Sequence, residues 1–250
     1  MAAETLPQGS GGLASGIVRI TGRYRLPSDV VSEIRHVLAE NPQIVILDLN
    51  SVAGSSRALA EVLEPVAPYL AAWPGTVLAV CVPDTEASAH VLPPILADRV
   101  LLDRTPVTAL ERARHLLGHQ DRTTTFLTPK PQAAEDARAF TRRTLRDWRL
   151  DDLIWPASLV VSELVTHSIL KADTVLDLTL SRMGHRIRIA VHDYGADTVQ
   201  SARIADLDDP LADPLLDRGL AVVGAMTRCW GVFPSRVHGK TVWAVMEATK

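Results

Sequence analysis

Two side chains with acid–base chemistry, Glu163 and His167, stand four residues apart in Leu159-Val-Val-Ser-Glu163-Leu-Val-Thr-His167-Ser-Ile-Leu-Lys171. At a helical period they share one polar face, while Leu159, Val160, Leu164 and Ile169 gather into an apolar stripe. A carboxylate and an imidazole one turn apart can serve one site, and the same pair on an amphipathic helix can equally be a solvated face. Histidines 115 and 119 are also four apart, but no acidic residue lies between them and no third ligand stands nearby. They read as a frayed helix end rather than a metal site. Cys81 and Cys229 give neither a metal pattern nor a disulfide framework, which suits a reducing cytoplasm.

The chain that must position these groups has 250 residues, 47% hydrophobic and 22% charged, enough for one large domain or two ordinary ones. A net charge of −3 offers no basic surface for nucleic acid and no cationic amphipathic stretch for a membrane. Apolar runs such as Thr76 to Val82 are strand-sized, below the roughly 18 to 20 residues of a bilayer span. The expected organisation is a flexible, Gly/Ser-rich tail over residues 1–15, one unit over 16–119 and a second domain over 120–250.

Over residues 16–119, strand and helix alternate. Ile17 to Thr21 alternates as a short strand, and Pro27-Ser28 opens a helix with Val30, Ile34, Val37 and Leu38 inward, stopped by Pro42. Ile44 to Leu49 and Thr76 to Val82 are apolar runs of the kind buried on both faces of a sheet. Between them a helix from Arg57 to about Ala72 is divided by Pro65. A helix over Thr85 to Val91, a short strand over Arg99 to Leu102 and a helix opened by Thr105-Pro106 complete an α/β unit. The order of elements, with Asp48-Leu-Asn-Ser-Val52 ending a strand before a serine-containing turn, resembles a STAS domain of the anti-sigma-factor-antagonist type. That resemblance implies a phosphorylated serine at the helix start, here Ser55 or Ser56 in Gly54-Ser55-Ser56-Arg57. The plain reading of these serines is a helix N-cap.

From residue 120 the rhythm changes. Thr125 to Thr128 reads as an edge strand and Pro131 to Trp148 as a helix with Arg138, Arg142, Arg143 and Arg146 on a solvated flank. The helix of Glu163 and His167 follows. Then come a hairpin over Thr174 to Arg182 and Arg186 to Asp193, a Pro- and Asp-rich loop from Tyr194 to Asp217, a helix from Arg218 to Arg228, and a closing pair at Gly231 to Phe233 and Thr241 to Met246. Helices on one face of a mixed sheet make an α+β sandwich. Ser162-Glu163-Leu164-Val165-Thr166-His167, His192-Asp193-Tyr194-Gly195, Arg218-Gly219-Leu220 and Gly239-Lys240-Thr241-Val242-Trp243 fall in the order of the Bergerat-type (GHKL) ATPase motifs. The region is similar to the stand-alone GHKL anti-sigma factors and serine kinases of partner-switching systems.

That resemblance implies a site for ATP and Mg2+. Asp193 would accept the exocyclic amine of adenine with Thr241 sharing a water, and Gly195 would let the backbone approach the ring. Arg218, Gly219 and Leu220 would stand at the helix start near phosphate, and Glu163 would be the general base. His167 stands where an asparagine oxygen would hold magnesium, and an imidazole is a poor ligand for that cation. Asp217 stands in place of a usual glycine. With seven Asp against Arg203 alone, the Asp193 to Asp217 segment has a formal charge of −6. These departures imply that ATP and Mg2+ binding is weakened or lost. The resemblance therefore points to a regulatory module that binds a protein, whether a sigma factor, an antagonist, another STAS protein or a second copy of the chain. Its alternative is an active protein serine kinase acting on a STAS antagonist.

Overall fold

The computed structural model describes residues 2–6, 17–21, 27–50, 56–67, 73, 75–90, 92, 100–117, 121–195, 203–204, 218–235 and 238–248. The chain divides into two compact units, Met1–Gln120 and Asp121–Lys250, the division falling in the polar stretch between the two rhythms of the sequence.

The first unit carries a five-stranded sheet in the order β1-β2-β3-β4-β5. Its elements are β1 (Ala2–Leu6), β2 (Ile17–Thr21), α1 (Pro27–Ala39), β3 (Ile44–Asp48), α2 (Ser56–Leu63), β4 (Val77–Cys81), α3 (Thr85–Ala89), β5 (Val100–Asp103) and α4 (Pro106–Leu117). Strands β2 to β5 are parallel, as crossover helices require. Ile44, Val45, Ile46 and Leu47 are all buried, so β3 is central on both faces. On one of them Ile44, Ile46, Val77, Ala79 and Cys81 pack with Ala109 and Ala113 of α4. Pro65 lies in a 3-10 turn, Glu64–Val66, that ends α2. Ala2–Leu6, inside the segment that the sequence reads as a tail, pairs antiparallel with β2. Ser56 is the first residue of α2, and Ser55 lies outside the described residues.

The second unit comprises β6 (Asp121–Leu127), α5 (Ala133–Asp147), α6 (Ile154–Ala172), β7 (Leu176–Met183), β8 (Arg186–Asp193), β9 (Arg203–Ile204), α7 (Arg218–Met226), β10 (Cys229–Pro234) and β11 (Lys240–Glu247). Its sheet order is β6-β7-β8-β11-β10-β9. Every ladder of this sheet among the described residues is antiparallel, which corrects the expected mixed sheet. The reason is connectivity: hairpins join β7 to β8 and β10 to β11, and two helices rather than one separate β6 from β7, so the chain returns reversed.

Strand alternation sets one face against the helices. Leu176, Leu178, Leu180, Ile187, Ile189, Val191, Val242, Ala244 and Met246 cluster with Ala157, Val160, Val161, Leu164 and Val165 of α6 and with Leu220 and Val223 of α7. Of the expected inward stripe of α6, Val160 and Leu164 are fully buried and Ile169 packs half-buried against the core, whereas Leu159 is only half-buried and Ala157, Val161 and Val165 complete the inner face. Residues Asp151–Ala172 are long and apolar enough to cross a membrane by length and composition, in contrast to the strand-sized runs. In the fold this is the helix that covers the sheet, and it carries Glu163, His167 and Lys171.

Candidate functional site

Asp193 ends β8 and is fully buried. Its register partner is Lys240, the first residue of β11, also buried, and Lys240 Nζ lies 2.9 Å from Asp193 Oδ2. The N–H of Gly195 donates to Asp193 Oδ1 at 3.3 Å. Two glycines allow this closure. Gly239 has a φ of +77°, and a Cβ there would meet the Asp193 carbonyl oxygen and stand 2.6 Å from its carbon. A Cβ on Gly195 would stand 2.7 Å from the Cβ of Ala172, near the end of α6. Gly195 thus admits a neighbouring helix, where the sequence reading has it admitting a purine ring. Oδ1 of Asp193 thus accepts a backbone hydrogen bond, while Oδ2 is held by charge, as an ion-pair contact that lacks hydrogen-bond geometry.

Thr241 is not part of this group. It lies opposite His192 in the ladder, and its Oγ1 is 2.9 Å from His192 Nδ1. Consecutive strand residues face opposite sides, so Thr241 and His192 point away from the helices while Asp193 and Lys240 point toward them. The residue that faces Asp193 from the last hairpin is therefore Lys240, one position before the residue assigned from sequence.

Glu163, half-buried on α6, reaches the start of α7. A Cβ on Gly219, the second residue of α7, would meet Glu163 Oε2 and lie 3.5 Å from its Cδ, so the carboxylate rests against the first turn of that helix. A carboxylate there is favoured by the unpaired N–H groups and the helix dipole. Leu220, placed near phosphate by the resemblance, is buried in the sandwich core. Arg218 opens α7. His167 lies one turn beyond Glu163 and is half-buried. Among the described residues no group of three or more His, Cys, Asp or Glu could hold a metal ion. Asp217 and most of the acidic loop, 196–202 and 205–217, lie outside the described residues.

The arginine flank of α5 is not purely solvated. Arg138 donates to Ser162 Oγ at 3.0 Å, beside Glu163, and pairs with Glu135, which also holds Arg142 at 3.3 Å. Gly239 and Lys240 stand in the last-hairpin motif named from the sequence, but only Thr241 of that run is given a role. Counting alternately back from inward Val242 would have placed Lys240 on the inner face.

Tested against ATP and Mg2+, the residues as arranged do not fit. The carboxylate that the resemblance assigns to the adenine amine is paired with an ammonium. The helix start that it assigns to phosphate faces a carboxylate, and the residue that it assigns to magnesium is an imidazole. No protein-family model and no curated protein matches this chain.

Proposed function

We propose that this chain is a cytoplasmic regulator of the partner-switching type. Its first unit is a STAS-like module, and its second is a GHKL-type sandwich that binds a protein rather than turning over ATP. The partner is a sigma factor, an antagonist or another STAS protein. The observation that carries this reading is the buried Lys240–Asp193 ion pair at 2.9 Å. An intramolecular ammonium occupies the acceptor that adenine would need, and displacing it leaves a buried charge unpaired, at a cost of about 3–5 kcal/mol. A ligand would have to supply that much before any net affinity appeared.

Isothermal titration of the full chain with ATP and ADP, with and without magnesium, is expected to give no saturable heat at millimolar nucleotide. Micromolar binding by the unaltered chain would overturn the reading. The double substitution Lys240→Thr with His167→Asn is expected to gain binding, because it frees the Asp193 acceptor and returns an oxygen donor. The rival, a serine kinase, draws on one observation: Glu163 is held beside Gly219, where a general base would stand. Labelled γ-phosphate is expected to reach neither a STAS antagonist nor Ser55 or Ser56 of a second copy, and measurable transfer would favour the kinase.

A further inference from the structure

On the sheet face turned away from α6 and α7, Phe126, Asp177 and His192 form one cross-strand row from the edge strand β6 inward. Asp177 is 6% exposed. Its Oδ2 accepts a hydrogen bond from the Tyr194 hydroxyl at 2.7 Å, while Oδ1 is buried and has no hydrogen-bond partner among the described residues. Two rings flank this carboxylate, and both reach solvent: Phe126 is 61% exposed and Tyr194 37%. Tyr194 is fixed in place by His192, ring to ring at 4.6 Å and edge-on, and His192 in turn bonds Thr241. A buried carboxylate oxygen without a donor is a costly arrangement that an incoming donor removes.

We propose that this row is a docking site for an extended segment of a partner protein that presents an arginine. The segment pairs with the edge of β6 that has no strand partner among the described residues, and its guanidinium enters between Phe126 and Tyr194 to donate to Asp177 Oδ1. Guanidinium fits because it is planar, weakly hydrated, stacks on aromatic faces and carries donors in a fixed fork. An edge strand supplies the second handle, a row of outward backbone groups that accept an added strand.

The site lies on the face opposite Asp193, so its test is separate from the nucleotide titration. The isotopically labelled full chain is titrated with a capped heptapeptide of alternating threonine and valine bearing one arginine, and with the same peptide bearing citrulline. Saturable amide shifts are expected in residues 121–127, with affinity about tenfold or more weaker for the neutral citrulline peptide. Asp177→Asn, which keeps an acceptor for the Tyr194 hydroxyl, and Phe126→Ser at an exposed position should each produce a loss of about the same size. Equal binding of the citrulline peptide, unchanged affinity in both variants, or no saturable shift at millimolar peptide would overturn the proposal. Should Asp177→Asn fail to fold, Phe126→Ser decides.

Discussion

At the scale of single residues, the two left-handed glycines of the second unit make a controlled pair. Gly184 has a φ of +61° with nothing within 4 Å of a built Cβ, whereas Gly239, at +77°, has the Asp193 backbone in the way. Gly184→Ala should cost about 1 kcal/mol, the penalty of a left-handed alanine. Gly239→Ala adds a collision with main chain and should cost more than about 2 kcal/mol in chemical denaturation. Equal losses would mean that the β8–β11 junction yields easily. This junction is also where sequence reading slipped. Asp193 and the Gly239-Lys240-Thr241 run were legible as strand ends. Which of Lys240 and Thr241 meets Asp193 depends on a one-residue register, however, and that is fixed only by the partner strand and the buried face.

At the scale of elements, the seating of α7 on α6 rests on the absence of a side chain at Gly219. Gly219→Ala is expected to push the Glu163 carboxylate off the helix start and to speed hydrogen exchange of amides 218–226, with β7 and β8 unchanged. Uniform exchange across the unit would deny the contact that role. The β8–β11 ladder has its own polar fastening at the far end. Glu247 is 2.8 Å from His185 Nε2, 3.0 Å from Arg228 and 3.5 Å from Arg186. The hydrogen bond from His185, aided by both arginines, outweighs desolvation and holds the Glu247 carboxyl below its usual range. A depressed carboxylate stabilises the fold above its unfolded-state pKa, and that contribution disappears as pH falls through the folded one. Glu247→Gln should therefore lower the melting temperature at about pH 7, and the gap should narrow steadily as pH falls below the unfolded-state carboxylate range of about 4.3. A gap that persists in acid would trace to packing instead. Most elements were legible because apolar period and Pro or Gly punctuation agree with the fold, as in α1 and the β7–β8 hairpin. β1 was not, since Ala2–Leu6 has no pattern of its own and takes its place from pairing with β2.

At the scale of the whole molecule, two units with separate cores, one on a parallel and one on an antiparallel sheet, follow from the change of rhythm near residue 120. The sense of the second sheet was less accessible, because strand direction is a property of connections rather than of composition. A ligand that binds only the native state raises the melting temperature with its concentration. The full chain is expected to melt at one temperature across zero to millimolar magnesium-ATP, and a rising curve would show that nucleotide enters after all. The ammonium tethered beside Asp193 is always present at the same effective concentration, one per chain. On the function proposed above, a cell depleted of ATP would keep the chain as folded and as available as a well-fed one, so its response would follow the supply of a protein partner rather than the energy state.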